Sequence, residues 1–207
     1  MDGAALQDRI ARSLGVAARR TGVPCDVFRP RGTTTPLDPH NRTMRLCASF
    51  SYAMGRNMVS ARFGTAAWSA MYDYAYTRAG DYLVGEQGTY FVAAQTPLLP
   101  VMCIRANCMV SVARPAPVDD GGYSGLTDCN RIDVLVGWPA SLLSSSAHIS
   151  GDLPETRFGS WTGLLPVTAP QIRVGDVLTD DLMRVFVVAA AESTELGWRL
   201  RLREVAG

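Results

Sequence analysis

The hydrophobic positions of this chain change period after its first twenty residues. From Ala4 to Arg20, Leu6, Ile10, Leu14 and Ala17 or Ala18 recur at three- and four-residue steps while Arg9, Arg12, Arg19 and Arg20 take much of the remaining surface, which predicts an amphipathic helix. Asp2 suits its start, Gly22 its stop, and Pro24 forbids its continuation. Val23 to Arg29 reads as a short extended piece before a Pro-, Gly- and Thr-rich loop ending near Pro39. Met44 to Met58 and Ala66 to Tyr76 fit strand or helix equally by period.

From Gly80 onward the pattern becomes that of strands. Asp81 to Val84 and Thr89 to Ala94 flank Gly85-Glu86-Gln87-Gly88, which is hairpin chemistry, and Leu99 to Arg105 and Met109 to Arg114 extend a meander. Pro115 to Asp128 has linker composition, and Ile132 to Trp138 alternates again. Leu142 to Gly163 is Ser- and Gly-containing and long enough to predict an extended arm. Strand candidates close the chain at Gln171 to Val174 with Val177 to Thr179, at Arg184 to Ala190 and at Gly197 to Val205; in the last, Trp198, Leu200, Leu202 and Val205 oppose Arg199, Arg201 and Arg203. One face of that strand is expected to be buried and the other cationic.

An internal match accompanies the strands. Gly80-Asp81-Tyr82-Leu83 and Gly175-Asp176-Val177-Leu178 lie 95 residues apart, and the same ungapped offset sets Phe91-Val92 on Phe186-Val187 and Ala94 on Ala189, six identities in fifteen positions. Glycine permits a sharp turn, Asp can accept from a backbone amide within it, and Phe-Val starts the returning strand. Each copy is therefore expected to be a hairpin with a polar tip. The expected fold is mainly β with an N-terminal helix, in two small related antiparallel barrel or sandwich modules. The expected division is a helix and extended basic segment over 1–62, a first β-module over 63–118, a linker strand and arm over 119–170, and a second β-module over 171–207.

Composition adjusts this picture in three ways. Charged residues are only 19% of the chain, so an unusual share of the surface is neutral and suited to burial by other subunits. All twenty basic residues are Arg, whose rigid fork suits carboxylate and phosphate. Their distribution is uneven, with a net +6 up to Arg62 and −5 beyond it. The basic part could face DNA or an acidic partner, but Asp2, Asp8, Asp26 and Asp38 dilute it, which favours a solvated helix face with internal pairing. No apolar run approaches a membrane span, and the N-terminus lacks the pattern of a secretory signal, so a cytoplasmic start is expected.

Candidate chemistry is sparse. Cys25, Cys47, Cys103, Cys108 and Cys129 are odd in number and irregular in spacing, which predicts free thiols; Cys103 and Cys108 miss zinc-knuckle spacing, and His40 and His148 stand apart. A chain without Lys has no phosphate-binding loop of the Gly-Lys-Ser type. Ser141 and Ser144 to Ser146 near His148 lack a nucleophile elbow, leaving a small hydrolase or ligand-binding protein as the remote alternative. Asp119-Asp120, Asp180-Asp181 and Glu192/Glu195 stand beside turn residues, where solvation is expected to deny them acid–base work. Arg56, Arg62, Trp68 and Tyr72 could interleave as a stacking platform, yet the segment is apolar enough to predict core packing. No catalytic residue, cofactor or metal is assigned.

The segments Gly80 to Val84, Thr89 to Gln95, Leu98-Leu99-Pro100 and Gly175 to Asp181 with Trp198-Arg199-Leu200 resemble proteins of proteobacterial phages and prophages. Their Gly-Asp hairpin is similar to that of head-closure and neck connector proteins of tailed phages. The resemblance implies a virion structural protein, assembled in the host cytoplasm, forming a homo-oligomeric ring of six or twelve copies between portal and tail. Portal or adaptor and tail proteins would be its partners. Arg9, Arg12, Arg19, Arg20, Arg199, Arg201 and Arg203 would be its contacts to partners or, non-specifically, to DNA in the lumen. A tail, baseplate or fibre-attachment adaptor is the nearby alternative, and the N-terminal helix departs from a minimal stopper.

Overall fold

The computed structural model describes residues 3–52, 66–96, 99–115, 131–145 and 160–205. Helix α1 (Gly3–Thr21) leads, and Gly22 ends it by donating to the Ala18 carbonyl at 2.8 Å. Side chains leave little choice there, since a Cβ on Gly22 would stand 2.4 Å from the Ala48 carbonyl oxygen. The stripe that docks α1 differs from the expected one. Ala11, Gly15 and Ala18 are buried with Leu14 packed beside them, while Leu6 is exposed and Ile10 half-buried. Close approach decides this rotation: a Cβ on Gly15 would meet that of Asp73 at 2.7 Å, so small residues take the centre of the contact and Leu14 packs at its edge.

Six strands follow as β1 (Val23–Phe28), β2 (Arg42–Tyr52), β3 (Ala67–Met71), β4 (Tyr82–Gly85), β5 (Gly88–Ala94) and β6 (Val101–Arg105). Six more are β7 (Cys108–Pro115), β8 (Arg131–Ser145), β9 (Ser160–Leu165), β10 (Val177–Asp180), β11 (Val185–Thr194) and β12 (Gly197–Glu204). All ladders between them are antiparallel. The first six close into a barrel in the order β1-β2-β3-β6-β5-β4, and the second six close in the equivalent order β7-β8-β9-β12-β11-β10. The ambiguous segment after Met44 is thus strand through Tyr52, its remainder lying outside the described residues, and the one after Ala66 is strand followed by a 3-10 turn at Tyr74–Tyr76.

The strands partition the chain differently from the four-part division expected above. β1 and β2 belong to the first barrel, β7 opens the second, and only Ala106-Asn107 separates β6 from β7. The Pro-rich stretch after Pro115 has linker composition yet leads from β7 to its own partner β8. Likewise the segment read as an arm contributes strand at both ends, through Ser145 and from Ser160, while 146–159 lie outside the described residues. Local composition marks a break in secondary structure and carries no information on which pieces pair across it.

Each barrel is filled by its own side chains. Val27, Leu83, Tyr90, Val92 and Cys103 are buried in the first, and Val112, Leu178, Phe186, Val188 and Leu202 in the second. The outward face of β4 and β5 is buried as well: Tyr82 and Phe91 join the buried cluster of the second barrel, which includes Trp138, Ala140 and Leu165. Tyr82 and Trp138 pack edge to face at 6.4 Å, and the Tyr82 hydroxyl donates to the Pro139 carbonyl at 2.8 Å. Full burial of each such ring is worth about 1.5–3 kcal/mol. The loop after β1 crosses the same seam: Trp138 Nε1 donates to the Thr33 carbonyl, and Thr35 N donates to that of Val136. β8 is bulged there, which frees Val136 from its ladder to accept.

Candidate functional site

The Gly-Asp turns are built alike and are more than turn punctuation. Gly80 and Gly175 both sit at positive φ, +93° and +88°, which a residue with a Cβ adopts only at a cost. The next residue is buried in each case. Asp81 accepts from Arg78 N and binds Arg29 in a fork, Nε at 2.9 Å and Nη2 at 2.8 Å; Asp176 accepts from Arg173 N and binds Arg114 in the same fork, at 2.8 Å and 2.9 Å. Each arginine also donates to a backbone carbonyl, of Tyr76 and Gln171 respectively. The carboxylate hydrogen bonds, with their charge second, hold both guanidiniums above their ordinary pKa. These forks tie β1 to the turn before β4, and β7 to the turn before β10.

Ladder registers carry the equivalence further. Val27 faces Leu83 where Val112 faces Leu178, so Arg29 and Arg114 occupy the same place in the two barrels. Trp68 and Trp161 also correspond; each packs edge to face on the same strand partner, Tyr90 at 5.8 Å and Phe186 at 5.7 Å. The ungapped sequence match fails at this point. Leu83 pairs with Tyr90 and Leu178 with Phe186, so Phe186 stands in the place of Tyr90, and the returning strands correspond at an offset of 96 residues. One extra residue in the second hairpin produces the slip.

That residue changes the tip. The first hairpin turns through Glu86-Gln87, polar as expected. The second turns through Asp181-Leu182-Met183, with Met183 in the left-handed region at φ +61°, the place where such a turn ordinarily has Gly. Leu182 is 71% exposed and Met183 79%, which corrects the expectation of a polar tip. Asp180 holds the turn rigid, and its burial corrects the expectation of a solvated carboxylate. Its Oδ1 accepts from Leu182 N and Arg184 N, its Oδ2 from Arg184 Nε, and Arg184 lies over the Trp161 ring at 4.6 Å.

A cleft of about 400 Å3 opens along the seam between the barrels. Ala67, Phe91 and Met102 line it from the first barrel, and Leu143, Leu164 and Trp198 from the second. Leu196, on the β11–β12 turn, stands at its mouth with 45% exposure. Its polar rim is the exposed pair Arg199–Glu192 at 2.6 Å. An apolar wall with one ion pair on the rim suits an apolar side chain or small molecule.

The arginines expected as contacts fall into two sets. Arg9, Arg12, Arg19 and Arg20 are exposed on α1, which packs on the first barrel, and Arg199, Arg201 and Arg203 are exposed on the outer face of β12, opposite buried Leu200 and Leu202. His40 is exposed in a 3-10 turn, capped by Asp38; Ser141 is buried in β8; Ser146 and His148 lie outside the described residues, as do Asp119, Asp120, Arg56, Arg62 and Cys129. Cys25, Cys47, Cys103 and Cys108 are free thiols, and burial pushes Cys25 up to about 11 and Cys108 up to about 12. Among the described residues, no three His, Cys, Asp or Glu side chains gather as a metal site, and no helix is long and apolar enough to cross a membrane. Sequence reasoning missed the two Arg–Asp forks, although Arg29 and Arg114 recur 85 residues apart, and it missed the apolar tip because the repeat was aligned without a gap. Comparison with protein-family models, with curated proteins and with solved structures finds no match.

Proposed function

We propose that the chain is a structural subunit of a tailed-phage particle, acting through protein contacts in a ring that joins head to tail. One observation carries the reading: both barrel interiors are filled by side chains, while the most exposed large apolar side chains among the described residues stand on a turn pinned by Asp180 and a cleft of apolar wall opens between the barrels. Surfaces of this kind mark protein–protein contact. The low charged fraction and the Gly-Asp hairpins that resemble neck proteins agree with it, and the arginines of α1 offer forked donors to a carboxylate- or phosphate-bearing neighbour.

The test is to infect or induce a host carrying a tagged copy of the chain and purify assembled particles. Recovery of the chain in particles at a fixed ratio to portal, with cross-links from α1 to portal, adaptor or tail protein, is the expected result. A chain that is absent from particles and sediments alone ends the proposal. Cross-links confined to baseplate or fibre proteins would move the subunit to the far end of the tail.

A further inference from the structure

The apolar tip and the apolar cleft belong to one molecule but cannot serve each other within it. Met183 lies just before β11 begins, whereas Thr194 and Leu196, at the other end of the same strand, line the cleft. A strand of ten residues spans roughly 30 Å at its usual rise, and the hydrogen-bonded fork of Asp180 prevents the turn from bending back. We propose that Leu182 and Met183 of one copy insert into the inter-barrel cleft of a second copy. This deepens the ring reading given above and rests on it only for closure of the contact into a ring.

Three features select a second copy as the occupant. First, the tip is a display device. A bulky side chain is held in a backbone conformation that costs it free energy, by a buried carboxylate whose bonds are spent on the turn itself. The corresponding hairpin of the first barrel has neither the extra residue nor apolar side chains, so the fold does not require them. Second, the charges match. Asp181 is exposed at the base of the tip, and Arg199 stands on the cleft rim, where its present partner Glu192 is a solvent-exposed carboxylate that is readily exchanged. Third, knob and hole lie on different surfaces of one chain. The contact is therefore head-to-tail, and repetition of it closes a ring or extends a filament.

The experiment uses the intact chain. A benzophenone amino acid at position 183 is irradiated in a mixture of that variant with isotopically heavy wild-type chain, and cross-linked peptides are sequenced. Cross-links from the tip to heavy peptides carrying Met102, Leu143 or Trp198 are expected. In sedimentation velocity, Leu182→Asp should raise the self-dissociation constant by about tenfold or more. Asp181→Arg and Arg199→Asp should each weaken association about threefold to fivefold, and the two together should recover most of that loss. Met183→Asn, which accepts the left-handed backbone, keeps the fold while removing one of the knob's two side chains, so weakened association at unchanged melting temperature is the decisive pairing.

A wild-type chain that stays monomeric at the concentrations used would overturn the proposal. So would cross-links that map away from the cleft, or association indifferent to Leu182→Asp. Saturable binding of an apolar dye in the cleft that is as tight in the associating wild-type chain as in Met183→Asn would overturn it too, in favour of a small-molecule site. Should purified copies cross-link tip to cleft while the chain is missing from phage particles, the contact stands and the virion assignment falls.

Discussion

The two barrels keep the same interior and different exteriors. Strand order, the Gly-Asp turn at positive φ, the Arg–Asp fork and the Trp–aromatic pair recur in both. The first barrel carries α1 and a polar two-residue hairpin, whereas the second carries the apolar tip and has no helix docked on it among the described residues. What closes a six-stranded sheet is under strict geometric demand, because one misplaced turn breaks the last ladder; what faces outward is free to acquire contacts.

The largest expected effect falls on the shared forks. Asp81→Ala and Asp176→Ala each leave a guanidinium and a turn amide without their buried acceptor, and each should cost about 3 kcal/mol or more in urea unfolding. Equal losses support equivalence of the barrels; a loss under about 1 kcal/mol at one site alone would break it.

The glycines sharpen the comparison where the barrels diverge. Gly80→Ala and Gly175→Ala both place a Cβ at positive φ, costing about 1–2 kcal/mol. Gly80 additionally faces Thr168 of the other barrel, whose Cγ2 would stand 2.4 Å from the new Cβ, while Gly175 looks into open space. Gly80→Ala should therefore be the more damaging, and Thr168→Ala should recover part of the difference in a double-mutant cycle.

Tyr82→Phe removes a buried hydroxyl that joins the barrels and leaves the Pro139 carbonyl short of a donor, at a cost of about 1 kcal/mol. Hydrogen exchange should then rise along β4 and β8 before it rises elsewhere. A variant as stable as wild type, with unchanged exchange, would mean that ring packing alone couples the barrels.

The smallest effect is alkaline. Cys25 takes the interior place that Val110 takes in the second barrel, since each lies two residues before the valine that faces Leu83 or Leu178. Burial raises its pKa to about 11, so above the ordinary thiol range the unfolded chain loses a proton that the folded chain keeps. The unfolded state then binds fewer protons, and stability falls as pH rises through that window up to about 11. Cys25→Val, which copies the second barrel, should flatten part of that slope in denaturant titrations run from pH 8 to pH 11; an unchanged slope would place its origin elsewhere.

The sequence by itself determined the elements: the helix before Gly22, the strand alternation of β12 with its three outward arginines, and the Gly-Asp turns, because these rest on interactions within a few residues. Tertiary structure alone decided the rest. Which stripe of α1 docks depended on Asp73 approaching Gly15, Asp81 and Asp176 found their arginines 52 and 62 residues away, and the linker-like stretch after Pro115 leads to a strand that pairs with β7. The cleft exists only because the two barrels pack side by side. Local periodicity records which side chains leave water, and only the closed chain fixes what they meet.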